Sequence, residues 1–168
     1  MIREATESDV QEIAHIYNHY IDHSIATFEE TPINGDDISQ RIARVTQAGF
    51  NWLVAVADGK VAGYAYASRW NTRAAYARTA EISVYLAPDT LAQGFGTKLY
   101  QALFESLQSK NIHTVIGGIS LPNPASVALH EKFGMSKVAH FGEVGYKFGQ
   151  FIDVGYWQVK INKGKASC

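Results

Sequence analysis

Glu81-Ile-Ser-Val-Tyr-Leu-Ala-Pro88, Asp89-Thr-Leu-Ala-Gln-Gly-Phe-Gly96 and Thr97-Lys-Leu-Tyr-Gln-Ala-Leu-Phe104 form one stretch that changes period halfway along. Its first part is β-branched and aromatic and alternates Ile82, Val84 and Leu86 against Glu81, Ser83 and Tyr85, as a strand does. Pro88 ends the strand, because proline offers no N–H to a ladder. From Gly96 onward Leu99, Ala102, Leu103 and Leu107 fall at helical spacing. Gly94 and Gly96 therefore stand where a strand turns into a helix. A helix N-terminus presents unpaired N–H groups and a positive dipole end, and glycine lets a phosphate approach the backbone. The stretch is a candidate pyrophosphate cradle. Strand–Gly-x-Gly–helix also opens P-loops and dinucleotide folds, but Lys98 is misplaced for G-x-x-x-x-G-K-[ST]. The dinucleotide fingerprint wants a small residue where Leu99 stands and an acid ending the next strand; His113–Leu121 ends without one.

Upstream, Asn51–Ala57 and Lys60–Ala67 read as two strands joined by Asp58-Gly59, a hairpin signal. Between them and the central strand, Arg69–Arg78 breaks both periods and carries three arginines with Trp70 and Tyr76. It reads either as a solvated loop or as one that recognises an anion, since arginine matches a carboxylate bidentately. Ile2–Ala5 reads as a first strand. A capping box at Thr6 and Asp9 precedes a helix with the stripe Val10, Ile13, Ala14, Tyr17 and Ile21. A second helix spans about Asp36–Ala48, capped by Asp36 or Asp37. His15, His19 and His23 recur every four residues away from the first stripe; without a carboxylate or cysteine to complete a set, they read as a solvated face and no metal is expected.

Downstream, Asn123 caps a helix that begins at Pro124 and stops at Gly134, with Ala125, Leu129 and Phe133 facing inward. His130-Glu131 is no zinc motif, because His-Glu-x-x-His would need histidine at Gly134. Ser136–Ile161 supplies two antiparallel strands joined near Gly149-Gln150. A single domain over 1–161 with a polar tail over 162–168 accounts for a chain of 168 residues. A formal charge of −1 gives no sign of a nucleic-acid or membrane surface. No apolar run approaches a transmembrane span, the N-terminus lacks a signal peptide's apolar region, and Cys168 is the one cysteine. The expectation is a cytoplasmic protein.

Hairpin, strand, Gly-x-Gly helix, strand, then Asn123-Pro-Ala-Ser126 and Leu129-His-Glu-Lys-Phe-Gly134 follow one another in a fixed order. With Val144-Gly-Tyr-Lys-Phe-Gly149 and Asp153-Val-Gly-Tyr-Trp-Gln158, that order resembles the GNAT superfamily of acetyl-CoA-dependent N-acetyltransferases. More narrowly, it resembles the phosphinothricin/methionine sulfone (sulfoximine) acetyltransferase branch. The resemblance covers nearly the whole chain. It implies an α+β fold: a mixed, mostly antiparallel sheet of about seven strands with about four flanking helices, whose fourth and fifth strands splay apart. The cofactor's pantetheine arm would enter that opening beside Val84, Tyr85 and Leu86. Its pyrophosphate would rest on Gln93, Gly94, Phe95, Gly96 and Thr97, and Asn123 and Ser126 would also contact it. The family's usual Arg or Gln ahead of the glycines is Leu91 here.

Acetyl transfer to an amine requires a deprotonated ammonium, a stabilised tetrahedral oxyanion and a protonated thiolate leaving group. The resemblance assigns the base to Glu81, which otherwise reads as a surface carboxylate, and the oxyanion to a backbone N–H near Val84–Tyr85. His130 stands where many superfamily members have a tyrosine acid; an imidazole can donate or accept at neutral pH. Arg73 and Tyr76 match positions that bind the substrate's acidic groups, Phe28 packs on its side chain, and a neighbouring lysine of the branch is Asn71 here. The implied acceptor is a small amino-acid analogue and the implied assembly a homodimer. Two other classes remain open: a GNAT acting on a protein N-terminus, lysine or other amine, and a non-catalytic acyl-CoA-binding module. An amine panel and a thiol-release assay separate them.

Overall fold

The chain's central hairpins and its Gly-x-Gly helix generate one sheet with helices on both faces; the computed structural model describes residues 1–162. Apart from Asn162, the tail expected over 162–168 lies outside the described residues, and so does Cys168. In order the elements are β1 (Ile2–Glu4), α1 (Val10–His23), α2 (Gly35–Gln47), β2 (Trp52–Ala57), β3 (Lys60–Arg69), β4 (Thr79–Leu86), α3 (Phe95–Ser109), β5 (Thr114–Leu121), α4 (Pro124–Lys132), β6 (Ser136–Lys147) and β7 (Gln150–Lys160). The seven-stranded sheet runs β1-β2-β3-β4-β5-β7-β6. Every pairing is antiparallel except β4 with β5, which is parallel.

Alternation along β4 sorts its faces. Tyr85 meets Tyr17 of α1 edge-on at 5.2 Å between ring centroids, whereas Leu86 lies across from Gly96 of α3. Thus α1 and α2 cover the face bearing Glu81, Ser83 and Tyr85, and α3 covers the face of Ile82 and Leu86. The expected α1 stripe is buried, with Ile16 added to it. On the α3 side Leu99, Tyr100, Leu103, Phe104 and Leu107 close the core.

Four local readings change. The α2 cap is Asn34, not Asp36 or Asp37: its side chain accepts from Asp37 N–H at 3.0 Å and Asp37 returns a bond to Asn34 N–H, a reciprocal box. The central helix starts at Phe95, ahead of Gly96. In α4, Ala125 is exposed and His130 is the buried residue, a polar side chain turned inward because partners await it there. The β6–β7 turn falls at Phe148-Gly149.

Candidate active site

Strands β4 and β5 pair only through Thr79–Glu81 against Thr114–Ile116, and then part. Beyond Glu81 the backbone of β4 is held on its β3 side alone. Ala87 N–H reaches Ala62 carbonyl across β3, so the odd positions of β4 spend their N–H and C=O groups there. The even positions face the parting. Leu86 shows where they point: its carbonyl accepts from the Tyr20 hydroxyl at 2.7 Å and its N–H reaches the same oxygen at 3.4 Å. By the same alternation the N–H and C=O of Val84 face the opening, and those of Tyr85 do not. Of the two expected oxyanion donors, Val84 is the one so directed. The Tyr85 side chain sits among the rings of Tyr17, Tyr20 and Tyr64.

Two adjacent glycines on β5 locate the expected catalytic residues. A Cβ at Gly117 would stand 2.5 Å from His130 Nε2; one at Gly118 would stand 3.6 Å from Glu81 Oε1 and 3.1 Å from the Tyr156 ring. Neighbours on a strand point to opposite faces. Glu81 and His130 therefore flank β5 from opposite sides, Glu81 on the α1–α2 side and His130 on the α3–α4 side.

Burial raises the Glu81 carboxyl above the usual range, and Tyr156 beside it is raised by burial and by the Glu81 charge. His130 is 3% exposed and both its nitrogens are engaged. Nδ1 lies 2.7 Å from the Ser126 carbonyl, which only accepts, so Nδ1 carries the proton and Nε2 accepts from the Tyr100 hydroxyl at 3.1 Å. Burial lowers the imidazole pKa, opposed by that carbonyl, and keeps the ring neutral. Tyr100 is fully buried and its hydroxyl is pushed far above its ordinary range, so it stays protonated.

At the start of α3, Gly94 takes φ +81° as the residue before the helix, a left-handed conformation that glycine adopts without strain. A Cβ there would meet nothing within 4 Å, so the space beside Gly94 is open, whereas Gly96 two residues on is buried. Gly96 differs: its Cβ would press on Leu129 at 3.2 Å and Leu86 at 3.6 Å, so glycine here lets α3 approach α4 and β4. The Gln93 amide donates to the Asp89 carbonyl at 3.0 Å and does not replace the missing family side chain at Leu91, itself exposed on the cleft. Thr97 Oγ1 accepts from Lys132 Nζ at 3.3 Å, which sets a cation from α4 beside these amides. A cleft of about 450 Å³ runs between the parted strands, lined by Val84, Tyr85, Leu86, Asn123, Ser126 and His130 among others. Asn123 caps α4 by accepting from Ser126 N–H at 3.1 Å. A helix N-terminus with a flanking lysine suits a pyrophosphate and the cleft suits a long arm, although Gln93, Gly94, Phe95, Gly96 and Thr97 are not among the residues that line that cleft.

Of the expected acceptor residues, Arg73 and Tyr76 stand on the connection between β3 and β4. Arg69 ends β3 opposite Ala80, so the loop after it feeds straight into Glu81's strand. Trp70 meets Tyr156, the neighbour of Glu81, at 5.5 Å. Arg73 and Tyr76 are exposed, and neither side chain bonds to another described residue, whereas Arg78 donates to the Asn111 carbonyl at 3.0 Å. Phe28 is 40% exposed and lies against Gly145 of β6. Glu81 itself falls outside the residues lining the cleft, at its closed end. No group of three or more His, Cys, Asp or Glu among the described residues could hold a metal ion. Sequence reasoning missed Tyr20, Tyr100 and Lys132. Each depends on a partner in another element, which spacing within one helix does not reveal.

A family model described as an acetyltransferase (GNAT) domain matches residues 2–155. The phosphinothricin N-acetyltransferase of Streptomyces viridochromogenes is 38% identical over 157 residues, covering 94% of this chain and 85% of that protein. The L-methionine sulfoximine/L-methionine sulfone acetyltransferase of Pseudomonas aeruginosa is 33% identical over 171 residues, with 99% and 97% covered. Among solved structures, a GNAT phosphinothricin acetyltransferase from Sinorhizobium meliloti in complex with acetyl-CoA has a TM-score of 0.95 at 31% identity. The match covers 100% of this chain and 91% of that one.

Proposed function

We propose that this chain, which belongs to the GNAT superfamily of acetyl-CoA-dependent N-acetyltransferases, acetylates the α-amino group of a small amino-acid analogue. The acceptors it fits are of the phosphinothricin, methionine sulfoximine and methionine sulfone type, the substrates named in its relatives. The observation that carries the reading is the place of Glu81. It is a half-buried carboxyl, unpaired among the described residues, where β4 leaves β5 and beside the arginine-bearing loop.

An α-amino group arrives as an ammonium and must lose a proton before it can attack a thioester. Burial makes Glu81 a stronger base than an exposed carboxylate, which suits it to take that proton directly or through one water. Acetyl-CoA, when bound, supplies the activated acetyl group for direct transfer in a ternary complex. The Val84 N–H donates to the carbonyl oxygen as charge develops there. Gly94–Thr97 hold the pyrophosphate, with Lys132 alongside. A thiol of pKa about 8.5 leaves as a weak base and needs little acid catalysis. This agrees with His130, whose one ring proton is spent on the Ser126 carbonyl. His130 then acts by holding the Tyr100 hydroxyl at the cleft. On the other face Arg73 and Tyr76 take the acceptor's acidic group and Phe28 covers its side chain.

The enzyme works as a cytoplasmic homodimer, where acetyl-CoA and free amino acids meet. The second copy covers β6–β7, on which Phe141, Val144, Tyr146, Phe148 and Phe151 are each half exposed or more. Thiol release from acetyl-CoA, measured against amino-acid analogues, peptides and polyamines, tests the substrate class. The expected leaders are methionine sulfone, methionine sulfoximine and phosphinothricin, with phosphinothricin weakened by Asn71. Preference for a peptide N-terminus would overturn the reading. Light scattering in solution tests the dimer.

A further inference from the structure

Between α1 and α2 the chain has no regular structure, yet its Ser24, Ile25 and Ala26, with Tyr20 of α1, form a wall of the cleft. Such a segment needs donors for its carbonyls, and the last turn of α1 adds orphans of its own. One side chain supplies them. Lys147, at the end of β6, is 1% exposed, and its ammonium donates to the carbonyls of Ser24 at 2.7 Å, Thr27 at 2.9 Å and Tyr20 at 3.4 Å. All three of its protons are used. No carboxylate pairs with it among the described residues; the negative end of the α1 dipole faces it instead. Burial lowers its pKa, with Glu30 and Asp22 opposing from farther off.

The same hairpin touches the segment once more, where the far edge of the Phe28 ring lies against Gly145, two residues before Lys147. From the other side Arg41 grips Glu29 with bonds of 2.8 and 2.6 Å, and the Tyr17 hydroxyl meets Thr27 Oγ1 at 2.7 Å. A buried cation with three carbonyl partners therefore fixes this segment to the sheet at the point where Phe28 leaves it.

We infer that Lys147 is a positioning residue for acceptor binding: its ammonium ties Tyr20, Ser24 and Thr27 to β6 and so sets where Phe28 stands over the amine site. The inference rests on the proposed acceptor side of the cleft. Lys147→Met keeps the apolar stem and removes the donors. In that variant, hydrogen exchange of amides 24–30 is expected to quicken about 10-fold or more while those of α3 hold, the scale of bonds to a charged group. The KM for methionine sulfone is expected to rise about 10- to 100-fold, with affinity for acetyl-CoA, read by calorimetry, falling by less than that although Tyr20, Ser24, Ile25 and Ala26 also wall its cleft. Uniformly faster exchange throughout the protein, or an unchanged KM with faster exchange in 24–30, overturns the inference. Should Lys147→Met not fold, Gly145→Ala pushes the Phe28 ring aside with Lys147 intact, and an unchanged KM there overturns it equally. The exchange readout needs no acceptor. If no amino-acid analogue is a substrate, the proposed function fails while the tie to β6 is still decided by exchange.

Discussion

Replacing Gly117 by alanine puts a methyl carbon 2.5 Å from His130 Nε2 and 2.6 Å from its Cδ2. Ordinary contact lies near about 3.5 Å, so the imidazole must retreat by about 1 Å. It has nowhere to go without breaking the 3.1 Å bond to Tyr100 or the 2.7 Å bond to the Ser126 carbonyl. Overpacking of this kind costs about 1–3 kcal/mol, and stranding the buried Tyr100 hydroxyl costs about 1–3 kcal/mol more. Set against a typical total stability of about 5–15 kcal/mol, the melting temperature falls on the order of 10 °C. Gly118→Ala supplies the internal control. Its Cβ meets the half-buried Tyr156 ring at 3.1 Å and Glu81 Oε1 only at an ordinary contact of 3.6 Å, so the loss stays under about 1 kcal/mol. Thermal melts of both variants, with turnover of each, decide the matter. A Gly117→Ala protein that melts within about 2 °C of wild type would refute the placing of His130 and Glu81 on opposite sides of β5.

Four further outcomes are expected. Glu81→Gln lowers kcat by about 10²–10⁴ with little change in KM, and activity recovers towards high pH as solvent deprotonates the amine; an equal loss at every pH would assign Glu81 to positioning instead. Arg73→Ala raises acceptor KM and spares acetyl-CoA affinity, whereas Arg69→Ala does neither; kinetics with methionine sulfone separate the two. Gly94→Val strains a left-handed position and faces the anion site, so calorimetry should show weakened acetyl-CoA binding in a folded protein; Gly96→Val should chiefly destabilise, through Leu129 and Leu86. Asp9 is held at about 2 chiefly by the Arg3 guanidinium at 2.7 and 2.8 Å. A carboxylate depressed in the fold stabilises it above its unfolded pKa. About 1–2 kcal/mol should therefore be lost as pH falls from about 4 through about 2, and an acid series of melts on Arg3→Ala should lack that loss.

What could be read ahead of the structure was whatever depended on local period. The strand before Pro88, the turn at Gly94 and the placing of Glu81 with Ser83 and Tyr85 all follow from spacing within one element. What could not be read depended on partners far away in the chain. His130 turns inward because Tyr100 waits thirty residues upstream, and a reading by apolarity chose Ala125 instead. The α2 cap was misplaced because Asp36 and Asp37 both qualify by type, and only the reciprocal bond to Asn34 selects. A lysine in a strand reads as solvated; Lys147 is buried because α1 ends above it. The parting of the strands, on which the site depends, is a property of pairing and leaves no mark in either strand alone.

That parting has a cost that any sheet would face. Separating two strands in the interior leaves rims of unsatisfied N–H and C=O groups, the feature by which sheets recruit foreign strands. Here Tyr20 blunts the outer end of the β4 rim by satisfying Leu86, so on β4 the bare stretch is confined to Ile82 and Val84, roughly 7 Å at about 3.3 Å per residue. That is too short to template another chain, yet long enough for a small molecule whose arm carries amides of its own. Bound there as proposed, acetyl-CoA would finish the sheet, and release after turnover would undo that piece of the architecture.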